Sequence, residues 1–171
     1  MRAVLADEVA LAGELIDPEA PPLLAPLVTP PLTDDQAIGL DLILEGFLLH
    51  HGTPRHVAPA APGREVLAGD YCYAHGLVRI ASAGDLFVVS ALADLIALGA
   101  GIVAAGERAG LVPLWRATTW AIAARGGADT ERVEARFRAA QDRLRTGRGH
   151  DALEELAAGL PPTPGLEEGL R

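Results

Sequence analysis

Apolar positions along this chain recur at intervals of three and four, the spacing that gathers side chains on one side of an α-helix. Residues 3–16 carry Val4, Leu5, Val9, Leu11, Leu15 and Ile16 in that rhythm and predict a first helix. Asp17-Pro18 ends it, because the residue before a proline is pushed out of the α region. Pro18, Pro21, Pro22, Pro26, Pro30 and Pro31 then mark residues 18–32 as an extended linker, in which Leu23, Leu24, Leu27 and Val28 could pack. Thr33-Asp34-Asp35-Gln36 reads as a capping box opening a helix over 33–50, with Asp34 and Asp35 favouring the positive end of its dipole. Gly52-Thr53-Pro54 breaks that helix, and a loop leads to Pro62-Gly63. The next helix, from Arg64 to about residue 83, bears an apolar stripe of Val66, Leu67, Ala74, Leu77, Val78 and Ala81. Ala83-Gly84-Asp85 supplies a stop and a new N-cap for an apolar helix from Leu86 to about Glu107. After the punctuation at Gly110 to Pro113, helices follow over 112–125, 130–146 (capped by Asp129 or Thr130) and 150–158. Residues 160–171, with Pro161, Pro162 and Pro164, read as a flexible tail. No stretch alternates as a strand would. The pattern predicts an all-α, single-domain protein: an N-terminal helix (1–17), a Pro-rich linker (18–32), a bundle (33–159) and a tail (160–171), with about six to seven helices in all.

Composition narrows this further. Half of the 171 residues are apolar but only 4% are aromatic, so the helices are expected to pack closely through small side chains. A net charge of −9 leaves no basic stripe for a nucleic acid or an anionic membrane. The chain has arginine and no lysine, which removes Schiff-base chemistry. Cys72 is the single cysteine, so no internal disulfide can form; with no signal-peptide pattern at the N-terminus, the expectation is a cytoplasmic protein. The long apolar run from Leu86 contains Ser90, Asp94, Gly99 and Gly101, and reads as a buried core helix rather than a membrane span.

One helix breaks its own local rules. Gly69-Asp70 sits in the middle of the 64–83 segment, where each residue costs about 0.5–1 kcal/mol against alanine. A Gly-Asp pair there predicts a close backbone approach and a placed acid; the alternative is an ordinary packed helix with Asp70 turned to water.

The string Val66-Leu67-Ala68-Gly69-Asp70-Tyr71, with Ala74, resembles the A-V-L-A-G-D-Y helix of trans-polyprenyl diphosphate synthases. In that family a D-D-x-x-D motif and then R-R-G-x-P-T precede the helix. Here Gly52 and Pro54 fall at the Gly and Pro of the second motif, with His50-His51 in place of the arginine pair. Asp41-Leu42-Ile43-Leu44-Glu45 occupies the aspartate-rich motif, and the register holds without a gap from Asp41 to Tyr71. The resemblance implies an isoprenoid-synthase-like bundle with its metal and phosphate apparatus dismantled. Leu42 replaces a carboxylate and cannot ligate Mg²⁺, and His50-His51 are mostly neutral at pH 7. Ile102 and Ala105 after Gly101 stand where the family has Glu and Gln, and Trp115-Arg116-Ala117-Thr118 lacks the family's lysine. The second aspartate-rich motif has no counterpart beyond Gln141-Asp142, and catalytic members are longer than this chain.

What the resemblance implies is the small, non-catalytic subunit of heteromeric long-chain polyprenyl diphosphate synthases of the heptaprenyl or hexaprenyl type. Such a subunit forms a hetero-oligomer with a catalytic polyprenyl diphosphate synthase subunit and helps set product length for quinone side chains; homodimerisation of the chain alone is compatible with it. No catalytic residue and no metal site is expected in the chain itself, and no cofactor, Mg²⁺ belonging to the catalytic partner. Asp41 and Glu45 would be remnants on a helix face, and Asp70 either an acceptor at the pairing surface or a surface acid. His50, His51 and His56 lack the companions of a zinc site. Two other readings stay open: a degenerate Mg²⁺-dependent prenyl-transferring enzyme using Asp41, Glu45 and Asp70, and an unrelated helical interaction module.

Overall fold

From Gly39 to Leu49 every residue of one helix is buried, the signature of a helix surrounded on all sides. The computed structural model describes residues 5–6, 14–16, 20–59, 61, 63–147 and 150–171. Among them are eight α-helices: α1 (Ala25–Val28), α2 (Asp34–His51), α3 (Arg64–Ala81), α4 (Leu86–Ala105), α5 (Leu111–Ala123), α6 (Thr130–Arg145), α7 (His150–Ala157) and α8 (Pro164–Leu170). The described residues contain no strand, only an isolated antiparallel bridge between Leu15 and Val57. The protein is an all-α bundle.

Local signals set several boundaries as expected. Thr33 and Gln36 form the reciprocal capping box at the start of α2. The Asp85 carboxylate accepts from the N–H groups of Phe87 and Val88 to open α4. Neither Asp129 nor Thr130 caps α6; the Thr130 hydroxyl donates instead to the carbonyls of Arg125 and Gly127.

Central α2 lies antiparallel to α3 with the two backbones close together. A Cβ added at Gly39 would meet the Gly76 carbonyl at 2.9 Å, and one at Gly76 would meet Ile43 Cγ1 at 2.6 Å and the Gly39 carbonyl at 2.7 Å. Two turns further along, a Cβ added at Gly46 would meet the Gly69 carbonyl and the Tyr73 ring, both at 2.9 Å. On the other side of α2 the main core gathers Phe47, Leu92, Leu95, Leu114, Trp115 and Phe137, with Trp115 edge-on to Phe47 at 5.5 Å. Helices α4, α5 and α6 bring these residues, and α7 packs along α5. Leu42, Leu49, Ala68 and Cys72 join Leu5 and Val57 in a second apolar cluster.

Three expectations need correction. The helix expected over 3–16 lies largely outside the described residues, but Leu15 belongs to the bridge with Val57, so its C-terminal end is extended. The segment expected to be a linker packs down: Leu24 and Val28 are fully buried and Leu32 nearly so. The segment expected to be a flexible tail forms α8, where Leu166 and Leu170 enter the core and the Gly169 carbonyl accepts from Thr53 N–H at 3.0 Å. The apolar rhythm of these segments was visible; the surface that would receive it was not.

The α2–α3 contact yields a prediction. Gly76→Ala places a methyl against backbone that cannot yield, and should cost about 2–4 kcal/mol. Urea denaturation followed by circular dichroism should show a lower midpoint at an unchanged m-value.

Candidate functional site

The residues singled out along the chain meet on the two sides of the α2–α3 seam, and they separate into two groups. Asp41 and Glu45 are one turn apart on α2 and point the same way. Both are buried, at 2% and 1% exposure, so they are not on an open helix face as expected. Asp41 Oδ1 accepts from the N–H groups of Leu23 (2.8 Å) and Leu24 (3.1 Å), and Oδ2 from Ala25 (2.8 Å). The acid thereby caps α1 from another helix, since Leu24 has no side-chain cap to offer. Glu45 Oε1 accepts from Arg55 (3.1 Å), His56 (2.8 Å) and Val57 (3.0 Å), with Oε2 also reaching Arg55 N–H at 3.1 Å. Each carboxylate sits in a cradle of three successive backbone N–H groups. A buried charge is tolerated only when its hydrogen-bonding capacity is filled, and these two are filled by main chain.

Arg55 ties the two cradles together. Its guanidinium donates to the Pro21 carbonyl at 3.2 Å and its charge faces both acids. Burial pushes the Asp41 and Glu45 carboxyls above the ordinary range, while the N–H donors and Arg55 pull the other way. Next to Glu45, burial and the neighbouring carboxylate push the Cys72 thiol up to about 12, which leaves it a packing residue rather than a nucleophile.

At the far end of α2, His50 stacks on Tyr73 with centroids 5.3 Å apart, and its Nε2 lies 3.3 Å from Asp70 Oδ1. Gly69 provides the close approach that its position in the helix predicts: a Cβ there would lie 2.5 Å from His50 Nε2. Asp70 itself is largely exposed, and Tyr71 stacks on His75 at 4.1 Å. His51 packs on Phe47; burial, then the charges of His50 and Arg108, hold its imidazole below the usual histidine range. Gly52 lies against the Gly169 carbonyl, where a Cβ would come within 2.5 Å, and Pro54 is half-buried in the turn that follows. Asp70 therefore belongs with His50, and it does not join Asp41 and Glu45 in one cluster. Among the described residues no group of three or more His, Cys, Asp or Glu is arranged to hold a metal ion.

Further along, the positions that depart from the resemblance do structural work. Trp115 is fully buried, and the Thr118 hydroxyl donates back to the Leu114 carbonyl at 2.9 Å. Arg116 donates to the carbonyls of Ala157 and Leu160 at the end of α7, at 3.0 and 2.6 Å. Sequence reasoning missed the roles of Arg55, which serves the Pro21 carbonyl, and of Arg108 and Arg116, which satisfy carbonyls at the ends of helices. Arg108 reaches the carbonyls of His51, Leu170 and Arg171. An arginine of this kind looks like a surface charge until the carbonyls it serves are placed around it. No family model, curated protein or solved structure matches this chain.

Two outcomes follow. Asp41→Ala removes the acceptor of three backbone N–H groups at the start of α1 and should cost about 3–5 kcal/mol, whereas Gly69→Ala pushes the His50 ring away from Tyr73 and Asp70, a side chain rather than backbone giving way, and should cost less, about 1–2 kcal/mol. Because the folded-state carboxyls lie above their unfolded values, their contribution to stability is full below the unfolded pKa and declines as pH rises through the folded pKa. The urea midpoint of the native chain should fall as pH is raised from the ordinary carboxylate range towards neutrality, and Glu45→Gln should flatten that slope.

Proposed function

We propose that this chain is a non-catalytic subunit that pairs with a full-length, catalytic polyprenyl diphosphate synthase and helps set the length of its isoprenoid product. One observation carries the reading. The two acids standing at the aspartate-rich motif, Asp41 and Glu45, spend their hydrogen-bonding capacity on six backbone N–H groups. Ionising an allylic diphosphate needs Mg²⁺ to neutralise the departing charge, and Mg²⁺ needs carboxylate oxygens free to coordinate it. A chain that keeps the register of the motif while turning its acids inward suits a scaffold role, with metal and diphosphate held by the partner. The close packing of α2 against α3 supports the same reading, since these are the two helices the resemblance aligns. The apolar helices would contribute walls to the partner's elongation cavity, and the isoprenoid product would serve as a quinone side chain.

The test is co-expression with a candidate catalytic synthase from the same genome. The two chains should co-purify, and the product extracted from the pair should be longer than that of the catalytic chain alone. Absence of a complex together with an unchanged product would overturn the reading. Titration of the purified chain alone with Mg²⁺ and an isoprenyl diphosphate analogue should release no binding heat; saturable binding would favour a degenerate enzyme instead.

A further inference from the structure

Helix α4 was expected to be a buried core helix, but only 39% of its most apolar window is covered. By length and composition it could cross a membrane, and it is the one such helix among the described residues. Ion pairs join it to α6 at two levels. Near the start of both helices Arg125 pairs with Asp85 at 2.8 Å and with Glu134, which also meets Arg138 at 3.2 Å. Farther along, Arg145 pairs with Asp94 at 2.6 Å and with Asp142 at 2.7 Å. The two helices leave a cleft of about 160 Å³ there, lined by the rings of Phe87 and Phe137, by Ser90 and Gln141, and by the paired ions Asp94, Arg145, Asp142 and Arg138.

Gln141 is out of place in this wall. It is 2% exposed, and its Nε2 is shut off from water with nothing to donate to. A buried donor left unpaired costs about 1–3 kcal/mol, so a native structure normally supplies it with a partner. The last torsion of a glutamine side chain is soft, which lets either amide atom face the cleft. The other lining groups define what the occupant must be. Asp94 and Asp142 are paired with Arg145, and Arg138 with Glu134, so a charged occupant would have to break an existing pair. The phenyl rings of Phe87 and Phe137, edge to face at 6.1 Å, offer apolar surface to a flat group. A cavity of about 150 Å³ is enough for one six-membered ring. Gln141 and the Ser90 hydroxyl call for an acceptor and a donor side by side, which a carboxamide carries in one plane.

We propose that the cleft between α4 and α6 binds a small neutral molecule bearing a primary carboxamide on a single ring, its carbonyl accepting from Gln141 Nε2. The site belongs to this chain alone and stands whether or not the chain pairs with a synthase. Benzamide is the probe. Titrated into the isotope-labelled full chain, it should shift the backbone amide resonances of Phe87, Ser90, Phe137 and Gln141 saturably, with a dissociation constant on the order of millimolar. Benzoate, which adds a charge, and toluene, which lacks the amide, should bind at least ~10-fold more weakly. Gln141→Met keeps the unbranched shape and removes the amide. It should weaken benzamide about tenfold while leaving the urea midpoint of the ligand-free chain no lower than native. Ser90→Phe, at an exposed position, should fill the mouth of the cleft and abolish the shifts at an unchanged midpoint. Absence of saturable shifts at these residues up to the solubility limit of benzamide overturns the proposal. So does binding that either substitution leaves unchanged, or toluene binding as tightly as benzamide, which would make the cleft an apolar void. A lowered midpoint for Gln141→Met would show that the amide already has a partner within the fold, and overturns it as well.

Discussion

Two carboxylates on a helix with no exposed side set the terms for the rest of this fold. Asp41 and Glu45 lie in the run of α2 in which every residue is buried, where an ion without partners would be intolerable. The interior of a helix cannot supply the partners, because its N–H groups are already spent along the axis. The donors must come from irregular chain or from the unpaired first turn of a helix. Residues 23–25 and 55–57 meet that need by offering three successive N–H groups each. Holding residues 55–57 against Glu45 leaves the other edge of Val57 free to pair with Leu15, and holding residues 23–25 against Asp41 lays Leu24 and Val28 into the core.

Close backbone contact is the second device, and it works at right angles to the first. Where the carboxylates pull loops onto α2, the facing glycines at 39 and 76 and at 46 and 69 let α3 approach until backbone atoms limit the distance. Both devices use residues that helix propensity disfavours, and in each case tertiary contact supplies the compensating energy. Arginines finish the ends: Arg108 and Arg116 collect the carbonyls that the closing helices leave unpaired. The acids that look most like metal ligands are thus the ones most committed to holding the chain together, and that commitment gives the proposed scaffold role its physical content.

Helix order and most helix starts were legible beforehand because they depend on neighbours a few residues away. The Thr33–Gln36 box and the Asp85 cap are contacts within one turn, and they form as the local pattern requires. Gly69 was legible in kind, as a close approach, but not in partner. The same string that marked Asp70 as a placed acid could not say that it would stand in the open beside His50. Arg55, Arg108 and Arg116 gave no signal, since a side chain that serves distant carbonyls has no local signature.

What the sequence determined by itself is therefore the all-α class, the order of the helices in the bundle and the lack of a lysine or of an internal disulfide within these 171 residues, all of which follow from periodicity, capping and composition. Only the tertiary structure decided that the proline-rich segment and the C-terminal residues belong to the core, that Asp41 and Glu45 face main chain, and that α4 is covered on one side alone. Each of these depends on which surfaces meet across many residues of chain. Hydrophobic patterning says which side chains must leave water, and leaves open against what they are buried.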